Sequence, residues 1–212
     1  MPEAIAYIDG LNLYYGALKN RPALKWLNPL AMVERLVPHD EIALVRYFSA
    51  LTVRTHSDPD APARQAVYFR ALRTVPKVTI HEGRMATRTK TGVVLPASIL
   101  PRIETIEVFE EKRTDVNIAS YLLLDAFEGR YDTAIVVSND SDLTTPIEMV
   151  VSRLGKRVIT VNPYRANRQS SELRRAASRA IPQINTSVLR AAQFPNILTD
   201  AQGMIRRHHS YR

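Results

Sequence analysis

Residues 131–163, YDTAIVVSNDSDLTTPIEMVVSRLGKRVITVNP, decide the fold class. The apolar run Ile135-Val136-Val137 is short and continuous, which suits a central strand covered on both faces. A polar cluster, Ser138-Asn139-Asp140-Ser141-Asp142, ends it. DLTTPIEMVVSRLG then reads as a helix closed by Gly155, and KRVITVNP as the next strand. Strand, polar turn, helix, strand is the repeating unit of a parallel sheet with crossover helices. Two carboxylates, Asp140 and Asp142, therefore stand where a buried strand gives out. Either they cap and turn the backbone, or they hold something.

The same alternation extends in both directions. AIAYI, residues 4–8, is a short apolar run ended by Asp9-Gly10, and LNLYYGALKN gives a helical turn or two before Pro22. A helix is predicted over 28–37, with Pro29 in its first turn. The strand EIALVRYFSAL follows, then the helix PDAPARQAVYFRALRTV and the strand KVTIHEGRM. TRTKTGVV, residues 87–94, has the look of a hairpin turning at Thr91-Gly92, and RIETIEVFEEK alternates like an exposed strand. We read residues 85–112 as an insertion over or beside the core. TDVNIASYLLLDAFEGR is a helix with Thr114 as its expected N-cap and Gly129 as its stop. SSELRRAASRAIPQI, 170–184, reads as a last helix, and residues 185–212 as a weakly patterned basic tail. The expectation is one α/β domain over 1–184, a Rossmann-like three-layer sandwich on a mainly parallel sheet of about five strands. Ligands of such sheets bind beyond the carboxyl ends of the strands, at the switch point.

Composition narrows the function classes. A chain of 212 residues with 45% hydrophobic content can bury one full core. It has no cysteine, which excludes disulfides and thiolate metal sites and fits a cytoplasmic protein. The N-terminus lacks the pattern of a signal peptide, and no apolar run approaches the roughly 18 residues of a membrane span. Lys and Arg outnumber Asp and Glu by 29 to 21, a net +8. From Arg153 to Arg179 eight basic residues stand against one acid, Glu172, a net +7. Basic excess of this kind points to polyanions, nucleic acid first.

Under this topology Asp9 follows strand one, Asp140 and Asp142 follow strand four, and Asp115 opens the helix leading into strand four. Each acid alone has a plain structural explanation: Asp9 as a turn, Asp115 as a first-turn partner of the helix dipole, Asp142 as an N-cap. Together they converge on one edge. Converging carboxylates repel, and each pKa rises unless a cation intervenes. Without cysteine and with scattered histidines, the fitting cation is hard and oxygen-loving, Mg²⁺ or Mn²⁺. Asn12 falls about one helical turn after Asp9, where its amide can orient an acid or a bound water. Ser138 and Asn139 offer similar polar support. Ser170 and Ser171 open a helix whose N-terminus suits a phosphate.

AYIDGLNLYYG, KRTDVNIASYLLLDAF, the 131–163 stretch and SSELRRAASRAIPQI together resemble, in order and spacing, the NYN domain of the LabA-like group within the PIN-like nucleases. The resemblance spans about residues 4–184 and leaves the insertion and the tail aside. It implies a Mg²⁺-dependent ribonuclease-like site on a Rossmann-like sheet. Asp9 would be the first-strand metal acid with Asn12 its companion, Asp115 the acid opening the central helix, and Asp140 and Asp142 the pair after strand four. The family often carries a glycine between the lysine and the acid of the central motif, where this chain has Arg113-Thr114.

The expected activity is metal-dependent endoribonuclease cleavage, with DNA not excluded as substrate. Asp140 is the better candidate for direct metal contact and Asp142 the better helix cap. Lys112, Arg113, Arg165, Arg168, Arg174 and Arg175 would neutralise neighbouring phosphates. Tyr14 and Tyr15 suit either base stacking or core packing. A second reading is a catalytically silent RNA- or protein-binding module of the same fold. A third is a haloacid-dehalogenase-type phosphatase, whose late acidic motif NDSD resembles; that chemistry wants an acid two residues after the nucleophile, and Leu11 occupies this place after Asp9. Whether the insertion gates the site, binds substrate or joins copies in a homo-oligomer is open at this level.

Overall fold

The computed structural model describes residues 3–56, 58–93 and 103–211. Nine strands are assigned among the described residues: β1 (Glu3–Asp9), β2 (Glu41–Ala50), β3 (Val78–Val93), β4 (Ile103–Lys112), β5 (Thr133–Val137), β6 (Arg157–Val161), β7 (Arg179–Ile181), β8 (Ile197–Asp200) and β9 (Gly203–Arg206). The helices are α1 (Gly10–Leu13), α2 (Pro29–Leu36), α3 (Ala61–Leu72), α4 (Thr114–Phe127), α5 (Thr144–Ser152), α6 (Ser171–Ala176) and α7 (Thr186–Ala191). Seven strands form one sheet in the order β4-β3-β2-β1-β5-β6-β7, all parallel except β4.

Burial follows from period two along the central strands. Ala4, Ala6 and Ile8 of β1, with Ile135 and Val137 of β5, face one core with Met32 and Val33 of α2 and Phe69 of α3. Ile5 and Tyr7, with Ala134 and Val136, face the other, packed by Ile118 and Leu122 of α4 and Ile147 and Val150 of α5. Helices thus cover both faces, the three-layer arrangement expected from the continuous apolar runs. From β1 the chain moves outward through β2 and β3; from β5 it moves the opposite way through β6 and β7. The adjacent pair β1–β5 is therefore the switch point, and Ile8 lies opposite Val137 there.

The expected count of about five strands is too low. β7 is hidden in the 170–184 stretch because Leu173, Ala176 and Ala177 imitate a helical stripe. The helix ends when Ala177 turns extended, and Pro182 biases Ile181 the same way, so Arg179–Ile181 pairs with the open edge of β6. The turn expected at Thr91-Gly92 is also corrected. β3 runs straight through, pairing with β2 as far as Gly83 and then with β4, so that Thr91 faces Thr105 and Gly92 faces Glu104. Residues 94–102 of the insertion lie outside the described residues.

Residues 185–212 are no tail as far as Tyr211. Leu189, Ala192, Phe194, Ile205 and Tyr211 are buried in the first core. Trp26 anchors them: its Nε1–H donates to the Pro195 carbonyl at 2.8 Å, and its ring meets Phe194 edge-on at 5.8 Å. The β8–β9 hairpin is held to α3 by Arg70, whose Nε donates to Asp200 at 2.6 Å. Among the described residues no helix is long and apolar enough to cross a membrane.

Thr114 is not the N-cap of α4. Arg113 takes that place in the left-handed region, φ 84°, at the position where the resembling family often carries glycine. A left-handed non-glycine residue costs about 1–2 kcal/mol, part of which glycine would return as backbone entropy. Arg113→Gly is therefore expected to stabilise the fold by about 0.5–1 kcal/mol, a rise in Tm of roughly 1–4 °C. Thermal unfolding by circular dichroism checks this, and a lower Tm would refute the strain.

Candidate functional site

β1 and β5 deliver their terminal residues to the same edge. Asp9 ends β1 almost wholly buried, and both carboxylate oxygens are engaged: Oδ1 accepts the Asn12 amide at 2.9 Å and Oδ2 the Ser138 hydroxyl at 3.1 Å. Asn12 in turn accepts the Asn139 amide through Oδ1 at 3.0 Å. The two polar turns are thereby tied across the switch point.

Asp140 both caps and lines the site. Its Oδ1 accepts the Asp142 amide at 3.0 Å, opening a short 3-10 turn over Ser141–Leu143, while its own amide donates to Ser138 Oγ at 3.1 Å. The expectation that Asp142 is the cap is corrected: Asp142 lies inside that turn, exposed, and does not line the cavity. The cavity, of about 160 Å³, is lined by Asp9, Leu11, Asn12, Tyr15, Glu111, Asp115, Asp140 and Tyr164.

Electrostatics bind these acids into one system. Burial raises the Asp9 pKa to about 6, opposed by the hydrogen bonds from Asn12 and Ser138 and reinforced by the charges of Asp140 and Glu111. Burial likewise lifts Asp115 to about 6, with Asp140, Asp9, Glu111 and Asp142 all adding to it. After burial, part of each rise is repulsion among the carboxylates, which a bound cation would offset. The donors are all hard oxygens, which fits Mg²⁺ or Mn²⁺. Among the described residues no three His, Cys, Asp or Glu side chains are gathered closely enough to ligate one ion.

Glu111 is a site residue that the sequence pattern conceals, since it reads as one more charge on an exposed alternating strand. Its carboxylate accepts the Thr114 amide at 3.1 Å and the Thr114 hydroxyl, and so takes up a free donor at the start of α4. Its only sequence signal is its place three residues before the helix. Tyr164, just past β6, is the other; burial and the nearby Asp9 raise its hydroxyl pKa.

The basic stretch is divided by the sheet. Lys156 and Arg157 sit where β6 begins, at the opposite edge, paired with Asp132 at 3.5 Å and Asp40 at 2.6 Å. Arg165 and Arg168 lie beyond the far end of β6 and line a second cavity. Arg174 and Arg175 are exposed on the last turn of α6 and line neither cavity. Arg113 is exposed and Lys112 half-buried, both beside Glu111 but outside the cavity lining. Ser170 caps α6, its Oγ accepting the Leu173 amide at 3.3 Å, and its own amide donates to Asn139 at 2.7 Å; Ser171 is exposed.

A doubly wound sheet with carboxylates at its switch point defines a Rossmann-like α/β domain. The NYN domain family model matches residues 4–189, and the chain belongs to that family. It is 29% identical over 233 residues to 6-hydroxy-3-succinoylpyridine 3-monooxygenase HspA of Pseudomonas putida, an alignment covering 94% of this chain and 72% of that protein. In fold it is similar to a protein of unknown function from Vibrio parahaemolyticus, with a TM-score of 0.54 at 17% identity, over 87% of this chain and 94% of that one.

Proposed function

We propose that the chain is a Mg²⁺- or Mn²⁺-dependent endoribonuclease whose active site is the acidic cavity at the β1–β5 switch point. The observation that carries this reading is the convergence of Asp9, Glu111, Asp115 and Asp140 on one small cavity, with Asp9 and Asp115 held up at about 6. Asp9, Asp115 and Asp140 would hold the metal. Such an ion, when bound, lowers the pKa of a water and offsets charge on a phosphate. Asn12 and Ser138 fix the Asp9 carboxylate in one orientation, and Asp142 fixes Asp140 through its amide. Glu111 holds the start of α4, and with it Asp115, against the sheet.

The name of the Pseudomonas relative raises an oxygenase reading. Oxygenases commonly draw electrons from a nicotinamide or flavin cofactor, and a dinucleotide on such a sheet needs glycines that let its pyrophosphate approach the backbone after β1. Here both glycines are filled from within. A Cβ on Gly10 would stand 2.8 Å from the Phe48 carbonyl and the Tyr47 ring, and one on Gly16 would stand 3.0 Å from Pro163. The turn after β1 is thus packed against the chain's own atoms and does not offer a pyrophosphate cradle of that kind.

The deciding assay incubates purified protein with labelled single-stranded and structured RNA, in Mg²⁺ or Mn²⁺ and in chelator, beside Asp140→Asn. Metal-dependent cleavage that falls by about 10²–10³-fold in the variant is expected, the equivalent of several kcal/mol of lost transition-state stabilisation. Equal cleavage by both proteins would refute the assignment. Binding without cleavage in any metal would identify a silent RNA-binding module. A parallel arm with 6-hydroxy-3-succinoylpyridine, oxygen and reduced nicotinamide, followed by nicotinamide oxidation, tests the oxygenase.

A further inference from the structure

Beside the acidic cavity lies a larger one of opposite character. It measures about 370 Å³, within the roughly 300–1,000 Å³ common for ligand sites. Its lining includes four cations, Lys19, Arg21, Arg165 and Arg168, and no carboxylate. Among the described residues none of the four forms an ion pair with an acid; the Arg21 guanidinium donates to the Thr186 hydroxyl, at 3.3 Å. The acidic cavity, conversely, has four carboxylates and no cation in its lining. Tyr15 and Tyr164 line both.

This juxtaposition is built from distant parts of the chain. A five-residue π-helical turn, Tyr14–Leu18, follows α1 and supplies Tyr15, Gly16 and Ala17. Such turns are uncommon and recur at functional sites. Pro163 to Arg168 come from the loop beyond β6, and Gln183 and Ile184 from the end of β7. Tyr15 is 55% exposed despite its size, with Lys19 Nζ 4.8 Å above its ring centre. An exposed aromatic side chain beside cations that have no acid partner is the pairing used to stack a base and hold its phosphate.

We propose that the basic cavity is a nucleotide subsite, holding the base and phosphate of an unpaired nucleotide next to the bond placed over the carboxylates. This deepens the nuclease reading and rests on it. The base would stack on Tyr15 or Tyr164, and the phosphate would meet Arg165, Arg168, Lys19 and Arg21. A paired base is held inside its duplex and cannot enter such a cavity without being extruded, so the substrate class is single-stranded.

The test measures binding of a fluorescent single-stranded RNA by anisotropy in chelator, where cleavage plays no part, across a salt series. Arg165→Ala/Arg168→Ala is compared with Arg35→Ala/Arg206→Ala, which removes the same charge at exposed positions that line neither cavity. The cavity pair should weaken binding about tenfold or more and lower the salt slope by roughly 1.4, about 0.7 for each phosphate contact on a single strand. The control pair should change it less than about threefold. Free nucleoside monophosphate should compete with the RNA on the native chain and the control pair, and fail to compete only on the cavity variant. Tyr164→Leu should cost about tenfold through lost stacking. Equal weakening by both Arg pairs, or duplex bound as tightly as single strand, would overturn the subsite. Cavity-dependent binding without cleavage in any metal would instead remove the nuclease reading and leave the subsite standing.

Discussion

Asp9→Asn is expected to abolish metal-dependent cleavage and, at neutral pH without metal, to make the protein more stable. Both outcomes have one cause. Asp9 is 4% exposed, and burial lifts its pKa from 3.8 to about 6. The folded state therefore binds more protons than the unfolded state between these values, and stability falls as pH rises through that window. The penalty is absent below about 3.8 and complete above about 6. At roughly 1.4 kcal/mol per pKa unit the carboxylate costs up to about 3 kcal/mol at neutral pH. Asparagine keeps the acceptor for the Asn12 amide but must donate to Ser138, so a gain of about 2 kcal/mol is the realistic expectation. Urea unfolding at neutral pH and near pH 4, in chelator, reads this directly: the advantage of the variant should shrink toward zero at the lower pH. Adding Mg²⁺ should raise the stability of the native chain and leave the variant unmoved. A variant less stable than the native chain at neutral pH would remove the electrostatic account of the site.

The residues that made this legible are those whose local and long-range roles coincide. Asp9 ends the buried run of β1 and Asp140 follows that of β5 by three residues, so the apolar runs that set the sheet also locate the acids. Their neighbourhood follows from the pairing of β1 with β5. Glu111 was not legible, because its exposed strand gives no apolar contrast and its role depends on the left-handed turn at Arg113. The basic stretch misled for a different reason. A five-residue strand spans about 16 Å, so Lys156 and Arg165, close in sequence, belong to opposite edges of the sheet. The cations that do flank Arg165 and Arg168, Lys19 and Arg21, come from the far end of the chain. The final residues lacked a pattern because they bury isolated side chains, such as Phe194 and Tyr211 around Trp26, rather than a regular face.

Asp125→Ala is expected to destabilise the fold by about 3–5 kcal/mol, the cost of leaving a buried charge without its partner. Asp125 lies on α4 with its side chain fully buried, and Arg46 of β2 grips it with two bonds, Nε to Oδ2 at 2.7 Å and Nη2 to Oδ1 at 2.8 Å. The Tyr7 hydroxyl of β1 adds a third at 2.6 Å. The guanidinium of Arg46 also lies 4.5 Å from the Tyr121 ring centre and 3.3 Å from His81 Nε2. One acid thus joins α4 to both β1 and β2. Removing Asp125 strands Arg46 and Tyr7 together, whereas Tyr7→Phe should cost only about 1–2 kcal/mol. Arg46→Met in the Asp125→Leu background should recover most of the loss, because a packed apolar pair avoids the desolvation penalty. Burial and the Arg46 charge lower the His81 pKa to about 4, so His81 stays neutral and the single-variant loss should be flat between about pH 5 and 8. Urea unfolding of the native chain, Asp125→Leu, Arg46→Met and the double variant supplies the cycle, and a loss below about 1 kcal/mol for Asp125→Ala would deny the pair its structural role. The same cycle bears on activity. Asp115 is ten residues earlier on α4, about 15 Å along its axis, so its place over the sheet edge depends on how that helix is seated. The recovered apolar pair should therefore retain cleavage, while Asp125→Ala should demand more Mg²⁺ for the same rate.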